Sequence, residues 1–183
     1  VVDGSSYEGD VQDDDIRFFE RRAQTAAMLI TGAATVGPFG NAFGYGLGNY
    51  RDDQLDGLKK LAASMKCKGA KALMQLFHPG RQAAYTYKDE KVAYGPSDQE
   101  FPFLDYPVTG MSSQQVEDLI KDFGQATRRA IDAGFDGVEI HGANHYLLQQ
   151  FFSAYSNHRD DAWGGDLDRR MALPLAVLRE VKV

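Results

Sequence analysis

The sequence has very little cysteine and tryptophan, no long apolar run and no excess of positive charge. One cysteine and one tryptophan occur in its 183 residues. The lone Cys67 excludes an internal disulfide framework and a cysteine-rich zinc site, and it is typical of a reducing cytosol. No apolar stretch approaches the roughly 20 residues of a membrane-spanning helix. The net charge of −6 argues against nucleic acid or an anionic membrane as a partner.

What the chain does contain is the composition of an ordinary globular domain. Hydrophobic residues make up 43% of it and charged residues 25%, which is enough apolar material for a sizeable core and argues against general disorder. The first residues, Val-Val-Asp-Gly, show no signal-peptide pattern. We therefore expect a cytoplasmic globular protein.

Helical and strand patterns alternate along the chain. Helices are predicted at residues 13–27, 53–68, 112–133 and 167–180, and strands at residues 28–36, 71–77 and 135–141. A Gly-rich loop is predicted at residues 37–50, a long loop at 81–111 and a short helix at 146–155. Strands that alternate with helices imply parallel β-α units. Right-handed crossovers then leave an open doubly wound sheet or a (β/α)8 barrel.

Three polar residues lie at the carboxyl end of the third predicted strand and directly after it: His141, Asn144 and Tyr146. Active groups of parallel α/β proteins gather at the carboxyl ends of strands. Histidine and asparagine can both donate hydrogen bonds to one carbonyl oxygen, and a tyrosine hydroxyl can deliver a proton. This set suits the reduction or enolisation of a carbonyl compound. The alternative is a purely structural role, in which His141 only holds a loop in place and Tyr146 only packs against neighbouring side chains.

A metal site is a second interpretation of the same segment. His141 and His145 are four residues apart and Glu139 is near, but the strand break at Gly142 removes the helical geometry that such a pair needs. Glu139 shares a strand face with His141, so we expect it to point inward, to need a buried partner and to be structural.

The second predicted strand carries Gln75 and ends at a rigid turn. The Gln75 amide can donate and accept, so its natural partner is a flat heterocycle; the alternative is a satisfied core glutamine. The turn, His78-Pro79-Gly80-Arg81, carries two possible cations.

Together these motifs resemble the Old Yellow Enzyme family of FMN-dependent NAD(P)H oxidoreductases. The resemblance extends from about Asp13 to Val183. Its strongest segment is residues 133–151, AGFDGVEIHGANHYLLQQF, and the family's pattern of Asn, Arg, Asp and Gly follows at residues 157–170. Residues 74–81, MQLFHPGR, match the strand that contacts flavin, and residues 31–33, TGA, match the end of the family's second strand. Residues 85–111 match the family poorly, so the resemblance does not identify the substrate.

The resemblance implies a (β/α)8 barrel that holds FMN at its C-terminal mouth. In this family Gln75 would bind the pyrimidine edge of the flavin, and Ala33 would lie close to the ring. His141 and Asn144 would bind the substrate carbonyl, His141 would also help to hold the flavin, and Tyr146 would be the proton donor. NADH or NADPH would reduce the FMN. Hydride from flavin N5 would then reach the β-carbon of an activated alkene such as an α,β-unsaturated carbonyl, as in an ene-reductase.

The length of the chain is short for such a barrel, which takes about 250 residues. We therefore expect residues 1–183 to be one part of an FMN-binding barrel domain, about strands 2 to 4, incomplete at both ends. Exposed edge strands predict self-association or a complementary segment, and we expect the isolated chain to bind FMN poorly and to be inactive. A metal-assisted barrel hydrolase or lyase, or a non-catalytic partial barrel, stay open as alternatives.

Overall fold

The computed structural model describes residues 5–38 and 44–182. Its strands and helices in chain order are α1 (Asp13–Ala23), β1 (Met28–Thr35), α2 (Leu55–Lys66), β2 (Lys71–Phe77), α3 (Ala84–Glu90), β3 (Tyr94–Gly95), β4 (Thr109–Gly110), α4 (Ser113–Asp132), β5 (Gly137–Ile140), α5 (Leu147–Phe152), α6 (Leu167–Arg170) and α7 (Ala172–Glu180). Single 3-10 turns at Asp52–Gln54 and Gly80–Gln82 precede α2 and α3. Within this part of the chain, no helix is long and apolar enough to cross a membrane.

Three parallel strands form the main sheet in the order β1-β2-β5. The register of β1 against β2 shifts between Ile30 and Ala33, and Ala33 then pairs with Gln75. On the other side of β2, Gln75 pairs with Glu139. Ala33, Gln75 and Glu139 therefore lie in one row across the sheet, near the carboxyl ends of the strands.

The two faces of the sheet differ in burial, as the two-residue period of a strand requires. Met74 and Leu76 of β2 are fully buried and pack in the hydrophobic core with Leu58 of α2 and Phe123 of α4. Gln75, between them in the sequence, is only half-buried. The helices thus cover one face of the sheet. The row of Ala33, Gln75 and Glu139, named the polar row for its last two members, lies on the other face.

The longest helix, α4, begins and ends at the residues that the sequence indicates. The Ser112 hydroxyl accepts a hydrogen bond from the Gln115 backbone at 3.2 Å, and the Gln115 side chain accepts one from the Ser112 backbone at 2.8 Å. This pair is the predicted capping box, which satisfies two free N–H groups at the start of the helix. Gly134 follows the helix with φ of +94°, a conformation that costs glycine little.

One expectation about secondary structure was wrong, and one helix is interrupted. Residues 81–111 are not simply a loop: they contain α3 and a short parallel pair, β3 and β4. The sequence gives no clear signal for α3 because it lacks a side-chain cap; the Tyr87 ring instead stacks on Tyr106, with centroids 4.6 Å apart. The last predicted helix is divided at Met171 into α6 and α7. Residues 39–43 of the predicted Gly-rich loop lie outside the described residues.

Candidate active site

The polar row of the sheet is organised by a bond between Gln75 and Glu139. Gln75 Nε2 donates to Glu139 Oε1, so the Glu139 carboxylate has a hydrogen-bond partner, although both residues are half-buried rather than buried. The backbone N–H of Gln75 donates to Thr31 Oγ1 at 3.0 Å. The other side-chain atom of the amide, Gln75 Oε1, is buried and has no hydrogen-bond partner in the described part of the chain. The row therefore presents one unsatisfied acceptor, at a position that the sequence singled out for binding a heterocycle.

An aromatic cluster lies beyond this row at the ends of β2 and β5. The Phe77 and Tyr146 ring centroids are 5.0 Å apart, and those of His141 and Tyr146 are 4.9 Å apart, both in edge-to-face arrangement. Ala33 is buried against Phe77 and Tyr146. The structure thus brings Ala33, His141 and Tyr146 together, although they come from three separate parts of the sequence.

A tight turn places Asn144 beside the His141 ring. Asn144 and His145 both have positive φ angles, 56° and 59°, which are uncommon outside glycine but tolerated by asparagine. The Gln82 side chain stabilises the turn by donating to the carbonyls of Asn144 and His145, at 3.1 and 3.3 Å. The His141 backbone is anchored to the Leu76 carbonyl at 2.9 Å, so this turn is fixed to the end of the neighbouring strand.

The hydrogen bonds of His141 determine where its ring proton lies. The Ala143 backbone N–H donates to His141 Nδ1 at 3.3 Å. Because Nδ1 accepts, the proton of a neutral ring must be on Nε2. Asn144 Nδ2 lies 3.4 Å from that Nε2. With the proton on Nε2, His141 and Asn144 present two neighbouring N–H donors, and one ligand oxygen could accept from both.

Burial controls the protonation states of both ionisable groups at the site. It lowers the pKa of the His141 imidazole below its usual value, so the ring is neutral at neutral pH. It raises the pKa of the Tyr146 phenol above its usual value, so Tyr146 keeps its proton. The site accordingly offers two neutral hydrogen-bond donors and one protonated phenol.

A single buried amide, that of Gln150, connects the two strand-end turns. Gln150 Nε2 donates to the carbonyls of Pro79 and His145, at 3.2 and 2.6 Å, and its Oε1 accepts from the Arg81 backbone at 3.2 Å. The sequence patterns did not point to Gln150, Gln82 or Phe77 as site residues. Phe77 could have been found, because it is two residues after Gln75 and so shares its strand face.

The turn after β2 carries one cation rather than two. His78 is buried, its Nδ1 accepts from the Gly80 backbone at 3.1 Å, and burial lowers its pKa to about 4. The expectation of two possible cations was therefore wrong for His78, because desolvation disfavours the charged ring. Nor do residues 5–38 and 44–182 contain a group of three or more His, Cys, Asp and Glu side chains able to hold a metal ion.

Comparison with known proteins identifies the family. The NADH:flavin oxidoreductase / NADH oxidase family matches residues 2–183. The chain is 46% identical to an uncharacterized oxidoreductase of Streptococcus pyogenes, covering 100% of this chain and 46% of that protein. It is 42% identical to a probable NADH-dependent flavin oxidoreductase of Bacillus subtilis, with coverages of 97% and 48%. An NADH:acrylate oxidoreductase of Vibrio harveyi is 41% identical over 100% of this chain, which spans 18% of that protein.

Solved structures show the same relationship. Morphinone reductase in complex with tetrahydroNAD superposes with a TM-score of 0.92 at 25% identity, over 99% of this chain and 54% of that one. Old Yellow Enzyme from a Pichia species gives 0.90 at 30% identity, over 99% and 50%. The predicted fold is confirmed: the three strands are part of a (β/α)8 barrel, and the chain spans about half the length of its first two relatives. The chain belongs to the NADH:flavin oxidoreductase / NADH oxidase family, the FMN- and NAD(P)H-using enzymes that include Old Yellow Enzyme.

Proposed function

We propose that the protein binds FMN beside Ala33 and Gln75 and reduces activated alkenes, such as α,β-unsaturated carbonyl compounds, with NADH or NADPH as electron donor. The observation that carries this proposal is the pair of adjacent N–H groups on His141 and Asn144 next to the Tyr146 ring. Two such donors fit one carbonyl oxygen, and a protonated phenol beside them fits a proton transfer to the same substrate.

The residues present fit a flavin. The orphaned Gln75 Oε1 needs a donor, and the pyrimidine edge of a flavin offers an N–H between two carbonyls. The small side chain of Ala33, in register with Gln75, leaves room for a flat ring. We propose that Gln75, Ala33 and His141 hold the cofactor, and that FMN, when bound, supplies the hydride.

The chain's own residues would activate the substrate. His141 Nε2 and Asn144 Nδ2 would donate to the carbonyl oxygen and stabilise the negative charge that develops there, which makes the β-carbon more electrophilic. Tyr146 would give its proton to the α-carbon. Hydride at one carbon and a proton at the other together add one hydrogen molecule across the double bond, so the tyrosinate must be reprotonated from solvent before the next turnover.

A two-step experiment tests the proposal. The whole barrel domain that contains residues 1–183 is loaded with FMN, reduced with NADH without oxygen and then mixed with 2-cyclohexenone or acrylate, while flavin absorbance is followed. We expect at least one alkene to reoxidise the flavin and to be recovered in saturated form. Reoxidation by oxygen alone, with no alkene effective, would contradict alkene reduction and leave only an NADH oxidase.

We also propose that residues 1–183 form one part of a single FMN-binding barrel domain in the cytoplasm. β1 and β5 are the outer strands of the described sheet, and unpaired strand edges favour association. Further barrel strands, or a second copy of the chain, would cover them. The exposed, unpaired Cys67 fits a reducing compartment. Intact mass together with light scattering distinguishes a longer polypeptide from self-association.

A further inference from the structure

Arg81 is a buried cation with no anionic partner in the described part of the chain. Its exposed fraction is 6%. Its Nε is buried without a hydrogen-bond partner, and Arg81 takes part in none of the ion pairs between described residues. Two aromatic rings support the guanidinium instead, with Cζ 4.6 Å from the centroid of Phe101 and 5.7 Å from that of Phe103. A buried charge without a partner is costly, so this arrangement points to a ligand.

Arg81 lines a cavity of about 840 Å³, a size typical of small-molecule sites. The described lining residues include no aspartate and no glutamate. They combine aromatic rings with uncharged polar side chains, among them Phe103, Tyr155, Gln149 and Ser153. Phe103 and Tyr155 are 62% and 60% exposed, so they offer apolar surface to a bound molecule.

This Arg81 cavity is separate from the candidate active site. Gln75, His141, Asn144 and Tyr146 are not among its described lining residues. His145, which does line it, lies between the two catalytic candidates Asn144 and Tyr146 in the sequence. The cavity is therefore a neighbour of the active-site turn and presents a different surface.

We propose that the Arg81 cavity binds a small organic carboxylate with a planar apolar body, and that the carboxylate pairs with Arg81. The planar guanidinium fork matches a carboxylate in geometry. One positive charge balances one carboxylate, whereas a phosphate monoester carries about −1.5 to −2 at neutral pH and would be left with excess charge. The exposed rings of Phe103 and Tyr155 would pack against the planar body.

Calorimetric titration with benzoate and its uncharged analogue benzamide tests the charge requirement. We expect benzoate to bind about 10-fold tighter or more, because a charge-assisted hydrogen bond to a buried group is worth that much, and phenyl phosphate to bind no tighter than benzoate. Equal affinities for benzoate and benzamide, or no benzoate binding, would overturn the proposal. Tighter binding of phenyl phosphate would overturn the carboxylate assignment.

Matched variants locate the binding. Arg81→Met removes the charge and should weaken benzoate about 10-fold or more while leaving benzamide unchanged. The control Arg128→Met removes an arginine whose side chain is 76% exposed, and it should change neither affinity. Benzoate binding unaltered by Arg81→Met, in a variant with native circular dichroism, would overturn the proposal.

A second variant covers the case in which Arg81→Met does not fold. Phe103→Ala alters an exposed side chain and should weaken benzoate and benzamide alike; unchanged affinities for both would contradict the site. Tyr146→Phe should leave benzoate binding unchanged, and a loss there would place the ligand in the candidate active site instead. Because heat of binding is measured without NADH or turnover, the result is independent of the proposed reaction.

Discussion

Gln75 and Glu139 face each other across β2 and β5, and the Gln75 amide donates its hydrogen bond to the Glu139 carboxylate. A carboxylate at neutral pH can only accept, so it fixes which end of the amide faces it. The free oxygen, Gln75 Oε1, must then face away from Glu139. Glu139 acts on a ligand only through this orientation and makes no contact with it in the proposed function.

Replacing Glu139 by Gln should weaken FMN binding. The new amide can donate or accept, so Gln75 is no longer held in one orientation, and the FMN dissociation constant should rise about 2- to 10-fold, the value of one hydrogen bond. Quenching of FMN fluorescence measures it. Glu117→Gln, on the exposed side of α4, is the control. An unchanged constant in Glu139→Gln would show that the orientation of Gln75 is set elsewhere.

Tyr146→Phe should separate the two halves of the proposed reaction. Phenylalanine keeps the ring that packs on Phe77 but removes the proton donor. Reoxidation of reduced flavin by the alkene should slow by about 10²- to 10⁴-fold, the usual contribution of a general acid. Reduction of the flavin by NADH should keep its rate. Stopped-flow absorbance measures both halves, and an equal loss in the two would argue for a packing role.

Acid should destabilise the protein through His78. Its pKa is about 4 in the folded protein and 6.5 when unperturbed, so between these values the unfolded chain binds a proton that the folded chain does not. His78 therefore lowers the free energy of unfolding by about 3 kcal/mol as the pH falls from 6.5 to 4. Urea unfolding across this range measures the slope.

The matching variant, His78→Gln, should flatten that slope. His141, whose pKa burial also lowers, acts in the same direction, so a smaller slope should remain. Asp136 and Asp161 have lowered pKa values and lose most of their stabilisation below pH 3.8, so most of their effect lies outside this range. A slope unaffected by His78→Gln would mean that His78 is charged in the folded protein.

Gly80→Ala should destabilise the turn after β2. Gly80 has φ of +61°, and an added Cβ would meet the Gln150 amide. Gly69 has φ of +89° and nothing within 4 Å of its Cβ position. Gly69→Ala thus measures backbone strain alone, about 1–2 kcal/mol. The loss in Gly80→Ala should exceed it by about 1 kcal/mol or more, because Gln150 is displaced. Urea unfolding measures the free energy of unfolding of both variants. Equal losses in the two would contradict the contact between residue 80 and Gln150.

The sequence predicted the main sheet well and the segment 81–111 poorly, for a physical reason. β2 has the predicted bounds because a continuous apolar run between turn residues defines it locally. α3 and the β3-β4 pair depend on distant contacts, such as the stacking of Tyr87 on Tyr106. No local period indicates such contacts.

The residues of the candidate site could be grouped from the sequence because carboxyl ends of parallel strands meet at one edge of a sheet. The hydrogen-bond roles of these residues could not be predicted from the sequence. The Nε2 position of the His141 proton follows from the Ala143 backbone, which only a folded turn reveals. The unpaired state of Arg81 depends likewise on Phe101 and Phe103, about twenty residues further along the chain.

The Gln150 amide ties the turn after β2 to the turn after β5 by hydrogen bonds, so the two turns should move together. A hinge movement of the turn that carries Asn144 would break the bond from Gln150 to His145 and leave one N–H of the Gln150 amide without an acceptor, which is costly. The hydrogen-bond donors of the candidate site are therefore held on a rigid turn and do not move by a hinge. In the proposed function, selectivity among alkenes should then arise from which molecules fit a fixed pair of donors.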